Sequence, residues 1–233
     1  MPLLDHFRKP TETRAPWASV CGSWINYVMA QLNAVLPADR YAAFGRTHLG
    51  ADAEADISEF ETPGKWSPDA SEGGLAVAPP LATVETIALD EFEVEVKDVR
   101  DDMCLVGVIE FVSPANKDRP ETRRRLVSKC LSYLDLGVGV ILVDIVTTAR
   151  ANLHNELALE LGARAPAFLP VGEAYLAGYR PSKDEDRWTI NMWPYAVALG
   201  ATMPPVPLAL KNGPIVPVDF ESAYTQALAV HRL

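Results

Sequence analysis

The sequence predicts an α/β domain with one mixed β-sheet flanked by helices. Two apolar segments, residues 105–112 and 138–146, have the composition of strands that are buried on both faces. Between them, residues 121–136 carry an apolar stripe at helical spacing, and Gly137 is expected to end that helix. A strand, a helix and a strand with short connections form a βαβ unit, so we expect the two strands to be parallel neighbours.

The segments before this unit predict one helix and two further strands. Apolar residues recur at helical spacing over residues 17–35, and residues 41–49 are predicted to form the first strand. Residues 92–98 alternate between charged and apolar side chains, with Glu93 and Glu95 on one face. This alternation predicts a strand that is half exposed.

The segments after the unit predict one or two strands, an extended segment and a final helix. The strands are expected around residues 188–193, and the helix from about Phe220. Five prolines between residues 204 and 217 predict a proline-rich C-terminal strap that packs across the surface of the domain. Recognition of a partner by this strap is the less favoured interpretation. We expect residues 1–233 to form a single domain.

The composition excludes several classes of protein. The chain has 233 residues, 48% of them hydrophobic, so it is too apolar for wholesale disorder. Its longest apolar stretch, residues 136–146, is interrupted by Asp144 and has about half the length of a membrane helix. The N-terminus lacks the apolar core of a signal peptide, and the three cysteines form no CxxC motif. We therefore expect a cytoplasmic protein without a membrane partner.

The charge of the chain argues against extensive binding to nucleic acid. Lys and Arg number 21 against 31 Asp and Glu, a net charge of −10, and phosphate contacts supply most non-specific affinity. Residues 117–129 differ, because they contain six basic residues and two acidic ones. Such a run is usually a solvated helix face. A phosphate site confined to this segment is nevertheless compatible with the net charge, so the expected nucleic-acid contact is a local one.

Glu110 is the most informative single residue. It interrupts an otherwise apolar strand, and burial of an unpaired carboxylate costs several kcal/mol. One interpretation is a structural ion pair with an Arg or Lys. The other is a carboxyl group at a cleft, where it handles a metal ion or a proton. A carboxylate beside lysines is a combination that metal-assisted phosphodiester hydrolysis uses, because the cation and the lysine stabilise the charged transition state.

A resemblance to a known family extends over nearly the whole chain. The stretch GVIEFVSPANK, residues 107–117, and the following RRRLVSKCLSYLDLGVGVILVDIV closely resemble a bacterial family of uncharacterised proteins, the domain of unknown function four-zero-five-eight. The segments VLPADRYAA, from residue 35, and MPPVPLALKNGPIVPVDFESAY, from residue 203, are similar to its two ends. That family looks related to the restriction-endonuclease-like PD-(D/E)XK superfamily, which implies the corresponding mixed-sheet fold.

The resemblance implies a set of metal ligands. In the related proteins an Asp on one strand and a Glu on the next conserved strand bind Mg²⁺, and a Lys completes the site. Asp56 and Glu110 occupy these two acidic positions, with Glu95 on the neighbouring predicted strand as the alternative to Asp56. The implied cofactor is Mg²⁺, or Mn²⁺ in its place.

The basic residues of the implied site are less directly assigned. The family spacing places a lysine at residue 112, where this chain has Val112. Lys129 on the following helix or Lys117 in the SPANK turn could replace it as a catalytic residue. The cluster Arg123, Arg124 and Arg125 would position phosphate.

Two functions follow as expectations. The first is a Mg²⁺-dependent nuclease that hydrolyses phosphodiesters. The alternative is a catalytically inactive nuclease-like fold that serves as a binding or assembly module, because a fold does not determine a function.

Overall fold

A computed structural model describes residues 2–48, 91–165, 167–184 and 187–233. Within these residues the helices are α1 (Thr11–Arg14), α2 (Trp17–Val35), α3 (Pro114–Asp118), α4 (Pro120–Asp135), α5 (Leu153–Glu160) and α6 (Phe220–Val230). The strands are β1 (Tyr41–His48), β2 (Glu91–Asp98), β3 (Cys104–Phe111), β4 (Gly139–Asp144), β5 (Ala174–Asp184), β6 (Arg187–Val197), β7 (Val206–Ala209) and β8 (Ile215–Val218).

Strands β1 to β6 form one mixed sheet in the order of the sequence. Strands β1, β2 and β3 are an antiparallel meander, and β4, β5 and β6 are also antiparallel. The one parallel pair in this described sheet is β3 and β4, in which Glu110 lies opposite Leu142. Helix α4 lies between these two strands in the chain, so the predicted βαβ unit and the mixed α/β class are confirmed.

One face of the sheet is covered by α2, α6 and the β7–β8 hairpin. Trp24 of α2 is fully buried against Phe111, Phe220 and Tyr224, with ring centroids 5.0–6.1 Å apart. The hairpin approaches the sheet closely at Gly139, where any side chain would clash with the carbonyl of Ala209. A residue without a Cβ at the start of β4 therefore lets the hairpin lie on the sheet.

The other face is covered by α4 and α5. The buried residues of α4 have the spacing that its amphipathic pattern predicts. They pack on alternate residues of β3 and β4 in a second apolar cluster that includes Val108, Leu126, Cys130, Leu134, Val140 and Leu142. Glu110 belongs to this face, because it lies two residues from Val108 on β3.

The structure differs from the sequence expectations in several elements. Strand β2 is buried on both faces rather than half exposed, since Glu93 and Glu95 lie beneath ion-pair partners. The proline-rich segment forms the β7–β8 hairpin, and Pro207 lies opposite Pro217. Helix α5 and strand β5 were not predicted. No helix in the described part of the chain has the length and apolar character needed to cross a membrane.

Candidate functional site

The candidate site lies on the face of the sheet that α4 covers, at strands β2 and β3. Glu93 and Glu95 are two residues apart on β2 and therefore point to one face. The antiparallel register places Glu93 directly opposite Glu110 of β3. Both side chains are buried, with Glu93 at 1% and Glu110 at 3% exposure. Two carboxyl groups thus lie side by side as a cross-strand pair.

Lys129 of α4 connects the two carboxyl groups. Its Nζ atom lies 2.8 Å from Oε2 of Glu93 and 2.7 Å from Oε1 of Glu110. The contact to Glu93 is a hydrogen bond, whereas Oε1 of Glu110 has no hydrogen-bond partner among the described residues despite its close ion pair. Lys129 lies on α4 between Leu126 and Cys130, which are both buried. The aliphatic part of its side chain therefore runs along the sheet surface while the ammonium group reaches the two carboxyl groups.

Burial dominates the protonation of this cluster. Loss of solvent around Glu110 raises its pKa to about 8, and Lys129 opposes this rise while Glu93 adds to it. Burial favours the neutral form of Lys129, but the two carboxyl groups outweigh it and raise the pKa of the ammonium. Lys129 is therefore a cation throughout the neutral range. A carboxyl pair in which one member retains a proton is the ordinary result of placing two acids side by side.

Arg46 and Lys97 surround Glu95 at the edge of the cluster. Nη1 of Arg46 lies 2.9 Å from Glu95 and 3.4 Å from Glu93, and Nζ of Lys97 lies 2.8 Å from Glu95. Burial would raise the pKa of Glu95, but the hydrogen bonds from Lys97 and Arg46 lower it. Glu95 is thus a charged group that already has two cationic partners, unlike Glu110.

Lys117 pairs with a carboxylate other than Glu93 and Glu110. Its ammonium lies 2.8 and 3.1 Å from the two oxygens of Asp144, at the end of β4, and 3.3 Å from the carbonyl of Val146. Burial raises the pKa of Asp144 and Lys117 opposes that rise. Both side chains are almost completely buried, so the pair joins α3 to β4.

The three arginines proposed to bind phosphate do not converge. Consecutive helical residues are about 100° apart around the axis, so Arg123, Arg124 and Arg125 point in different directions. Nε of Arg123 lies 2.9 Å from Oε1 of Glu156. Arg124 is exposed and lies 3.5 Å from Glu121, and Arg125 is exposed as well.

Among the sequence-predicted residues, Glu110 and Lys129 lie together, and Glu95 lies at the edge of their cluster. Asp56 lies outside the described residues. Glu93 was not predicted to be a site residue, although the sequence pattern places it on the same strand face as Glu95. The deciding fact was the register between β2 and β3, which places Glu93 opposite Glu110.

No family model, curated protein or solved structure matches this chain. In the part of the chain that the structure describes, no three His, Cys, Asp or Glu side chains are grouped closely enough to hold a metal ion. Carboxylates are the protein ligands that Mg²⁺ commonly takes, one or two at a time, with water and substrate phosphate completing its coordination.

Proposed function

We propose that this chain is a Mg²⁺- or Mn²⁺-dependent phosphodiesterase of the nuclease-like class. The observation that carries the proposal is the buried pair of Glu93 and Glu110 bridged by Lys129. Acids on two neighbouring strands and a lysine on the following helix are the combination that the family resemblance implies. The restriction-endonuclease-like form of the α/β fold is part of the same proposal.

Each residue of the cluster has a separate role in this proposal. Glu93 and Glu110 would hold the cation, which supplies Lewis-acid stabilisation of negative charge on a phosphate. Lys129 neutralises the carboxyl pair in the absence of the cation and is close enough to contact a phosphate oxygen beside it. Arg46 contacts Glu93 and Glu95 together and so acts as a positioning residue.

One observation favours the non-catalytic alternative. The acids of the cluster lie against Lys129, Arg46 and Lys97, so each acid has a cationic partner within the protein. Paired buried charges of this kind can specify a fold without taking part in chemistry. In that case the same fold would act as a binding or assembly module, without affinity for a divalent cation.

The first prediction is a test of catalysis. Plasmid DNA, single-stranded DNA and RNA would be incubated with the protein and Mg²⁺ or Mn²⁺, and cleavage followed by gel electrophoresis. Glu110→Gln keeps the shape of the side chain but cannot ionise to bind a cation, so we expect a loss of about a hundredfold or more in rate, a typical effect of losing a metal or transition-state contact.

The control is Glu173→Gln, which makes the same chemical change at an exposed residue away from the cluster. This variant should cleave at the wild-type rate. Cleavage by Glu110→Gln at the wild-type rate would refute the proposal. Absence of cleavage in all proteins, with no calorimetric signal for Mg²⁺ or Mn²⁺, would support the non-catalytic alternative.

A further inference from the structure

Strand β6 forms an open edge of the sheet. It is the last strand in the order β1 to β6, and it pairs on one side only, with β5, from Arg187 to Val197. In the described part of the chain, no backbone hydrogen bond joins residues 188–196 to a segment other than β5. An open edge presents a row of N–H and C=O groups to which another strand can bond. A further strand can therefore join the sheet at β6.

Two prolines determine which backbone groups of β6 face this edge. Pro181 of β5 lies opposite Ile190 of β6. Because proline has no N–H to donate, this is not a hydrogen-bonded pair, and the N–H and C=O of Ile190 point away from β5. The direction alternates along a strand, so Trp188 and Met192 also direct their backbone groups outwards. Pro194 has the same orientation, which agrees with its lack of an N–H.

Strand β6 lacks the charged residues that usually protect an edge strand. Its one charged side chain is Arg187 at its start, and residues 188–197 contain no Asp, Glu, Lys, Arg or His. Strand β1, at the opposite edge, contains Arg46 and His48. In a chain with a net charge of −10, a second copy is repelled by the molecule as a whole but not by an uncharged strand. The charge distribution therefore favours β6 as the place where two copies approach each other.

The face of β6 on the side of α4 and α5 is apolar up to the open edge. Trp188, Ile190 and Met192 alternate along the strand and therefore lie on one face. Trp188 is 62% exposed, and Ile190 and Met192 are half-buried. These three side chains line an open groove of about 650 Å³ together with Leu134 and Leu161 from the ends of the two helices. Apolar side chains beside an unpaired strand are typical of a surface that a partner covers.

We propose that β6 pairs with β6 of a second copy, in antiparallel orientation about a two-fold axis at Ile190. Trp188 then lies opposite the partner's Met192, and Ile190 lies opposite the partner's Ile190. Each outward N–H of Trp188, Ile190 and Met192 donates to an outward C=O of the other copy. The strand is thus complementary to itself, as a two-fold interface requires. This inference goes beyond phosphodiester hydrolysis and does not depend on it.

Pro194 specifies this register. In it Pro194 falls beyond the start of the partner's β6, so its missing N–H costs no hydrogen bond. A shift that places Pro194 opposite the partner's Trp188 leaves the C=O of that tryptophan without a donor. The antiparallel orientation also places the two β5–β6 connections, whose sequence at residues 184–186 is acidic, at opposite ends of the pair. Their like charges are thus kept apart.

Sedimentation velocity of the full chain tests the proposal. The wild type should sediment as a dimer with twice the chain mass of 25.4 kDa at micromolar concentrations. Ile190→Lys places two ammonium groups at the centre of the interface and should raise the dimer Kd about thirtyfold or more. Met192→Pro removes an N–H that faces away from β5, so the monomer keeps its sheet hydrogen bonds while the Kd rises about tenfold or more.

The matched control is Val35→Lys, which introduces the same charge at an exposed residue. Val35 ends α2 and lies near the start of β1, at the opposite edge of the sheet. A surface substitution away from the interface should change the dimer Kd by less than about twofold.

A disulfide tests the register. Thr189 lies opposite the partner's Asn191 in the proposed pairing, with about 4.5 Å between their Cα atoms, which is within the range of a disulfide. Both residues are exposed, so the double variant Thr189→Cys with Asn191→Cys leaves the core intact. Oxidation should convert it to a covalent dimer on a non-reducing gel. The wild type, whose three cysteines are buried or half-buried, should stay uncrosslinked.

Three results would overturn the inference. The wild type is a monomer up to about 100 μM, or Ile190→Lys and Met192→Pro dimerise as tightly as Val35→Lys, or the oxidised double cysteine variant stays monomeric. A monomeric wild type that binds an extended peptide at β6 would assign the edge to a different protein. Circular dichroism of each variant establishes that it is folded. A failure here leaves the cleavage test at Glu110 unaffected, because β4 and β5 separate β6 from β3.

Discussion

Glu110 combines two properties that conflict in an ordinary strand residue, namely a carboxyl group and nearly complete burial. The sequence identified it as exceptional because it alone interrupts an apolar strand. The sequence did not identify which residues lie next to it in space. Glu93 is about seventeen residues away in the chain, and only antiparallel pairing brings the two carboxyl groups together.

The second prediction concerns the pH dependence of Glu110. Its pKa in the folded protein is raised from 4.5 to about 8, so between these values the folded state holds a proton that the unfolded chain has released. Stability must therefore fall as the pH rises through this range. Glu110→Gln removes the ionisation, and its free energy of unfolding relative to wild type should increase from about pH 4.5 to about pH 8.

Urea unfolding at a series of pH values measures this difference. The exposed-site variant Glu173→Gln provides the baseline, because it should follow the wild-type curve at every pH. A constant difference between wild type and Glu110→Gln across the range would contradict the raised pKa and the neutral carboxyl group that it implies.

At the scale of elements, local patterns were the most accurate guide. Helix α2 spans the predicted residues 17–35, and the βαβ unit of β3, α4 and β4 has the expected parallel pairing. Strand β5 was missed because it contains a glycine and a proline, both uncommon within strands, and it is stabilised instead by pairing with β4 and β6. The burial of β2 likewise depends on side chains from β1 and α4.

The third prediction concerns Lys117, which joins α3 to β4 through Asp144. Lys117→Met leaves Asp144 buried without its cation, so we expect a loss of about 3–5 kcal/mol in the free energy of unfolding. A double variant, Lys117→Met with Asp144→Leu, removes both charges and should recover most of that loss. Urea unfolding measures both values.

Activity separates a structural from a catalytic role for Lys117. Under the structural assignment, folded Lys117→Met protein cleaves or binds as the wild type does, after correction for the folded fraction. A folded variant with the activity of wild type reduced about a hundredfold would instead place Lys117 in the chemistry.

At the scale of the whole molecule, the net charge of −10 proves to be unevenly distributed. Lysine and arginine residues near the carboxyl cluster are paired with acids. The basic run at residues 117–129, which was expected to contact phosphate, largely makes ion pairs within the protein. Net charge alone therefore gave little information about where an anion would bind.

The fourth prediction concerns acid stability. Burial lowers the pKa of His6 and of His154, so both are neutral in the folded protein and gain a proton more readily when unfolded. The contribution of these neutral histidines to stability is therefore fully present above the ordinary pKa of 6.5, and it is lost as the pH falls below that value. His154 also bonds to Tyr179 (2.5 Å) and to the carbonyl of Ala167 (2.8 Å).

Thermal unfolding between about pH 7.5 and pH 5 measures how the melting temperature depends on pH. In His154→Gln the overall stability should fall, because the hydrogen bonds are altered, but the melting temperature should depend less on pH. His48→Gln is the control, since His48 is exposed and its replacement should leave the slope unchanged. An identical slope in His154→Gln and wild type would contradict the assignment.

The sequence by itself determined the α/β class, helix α2, the βαβ unit and the importance of Glu110, because periodicity and composition act over short distances along the chain. The tertiary structure decided which groups meet. It placed Glu93 opposite Glu110 and selected Lys129 rather than Lys117 as their partner. Strand register and helix placement depend on packing between distant segments, which no local pattern specifies.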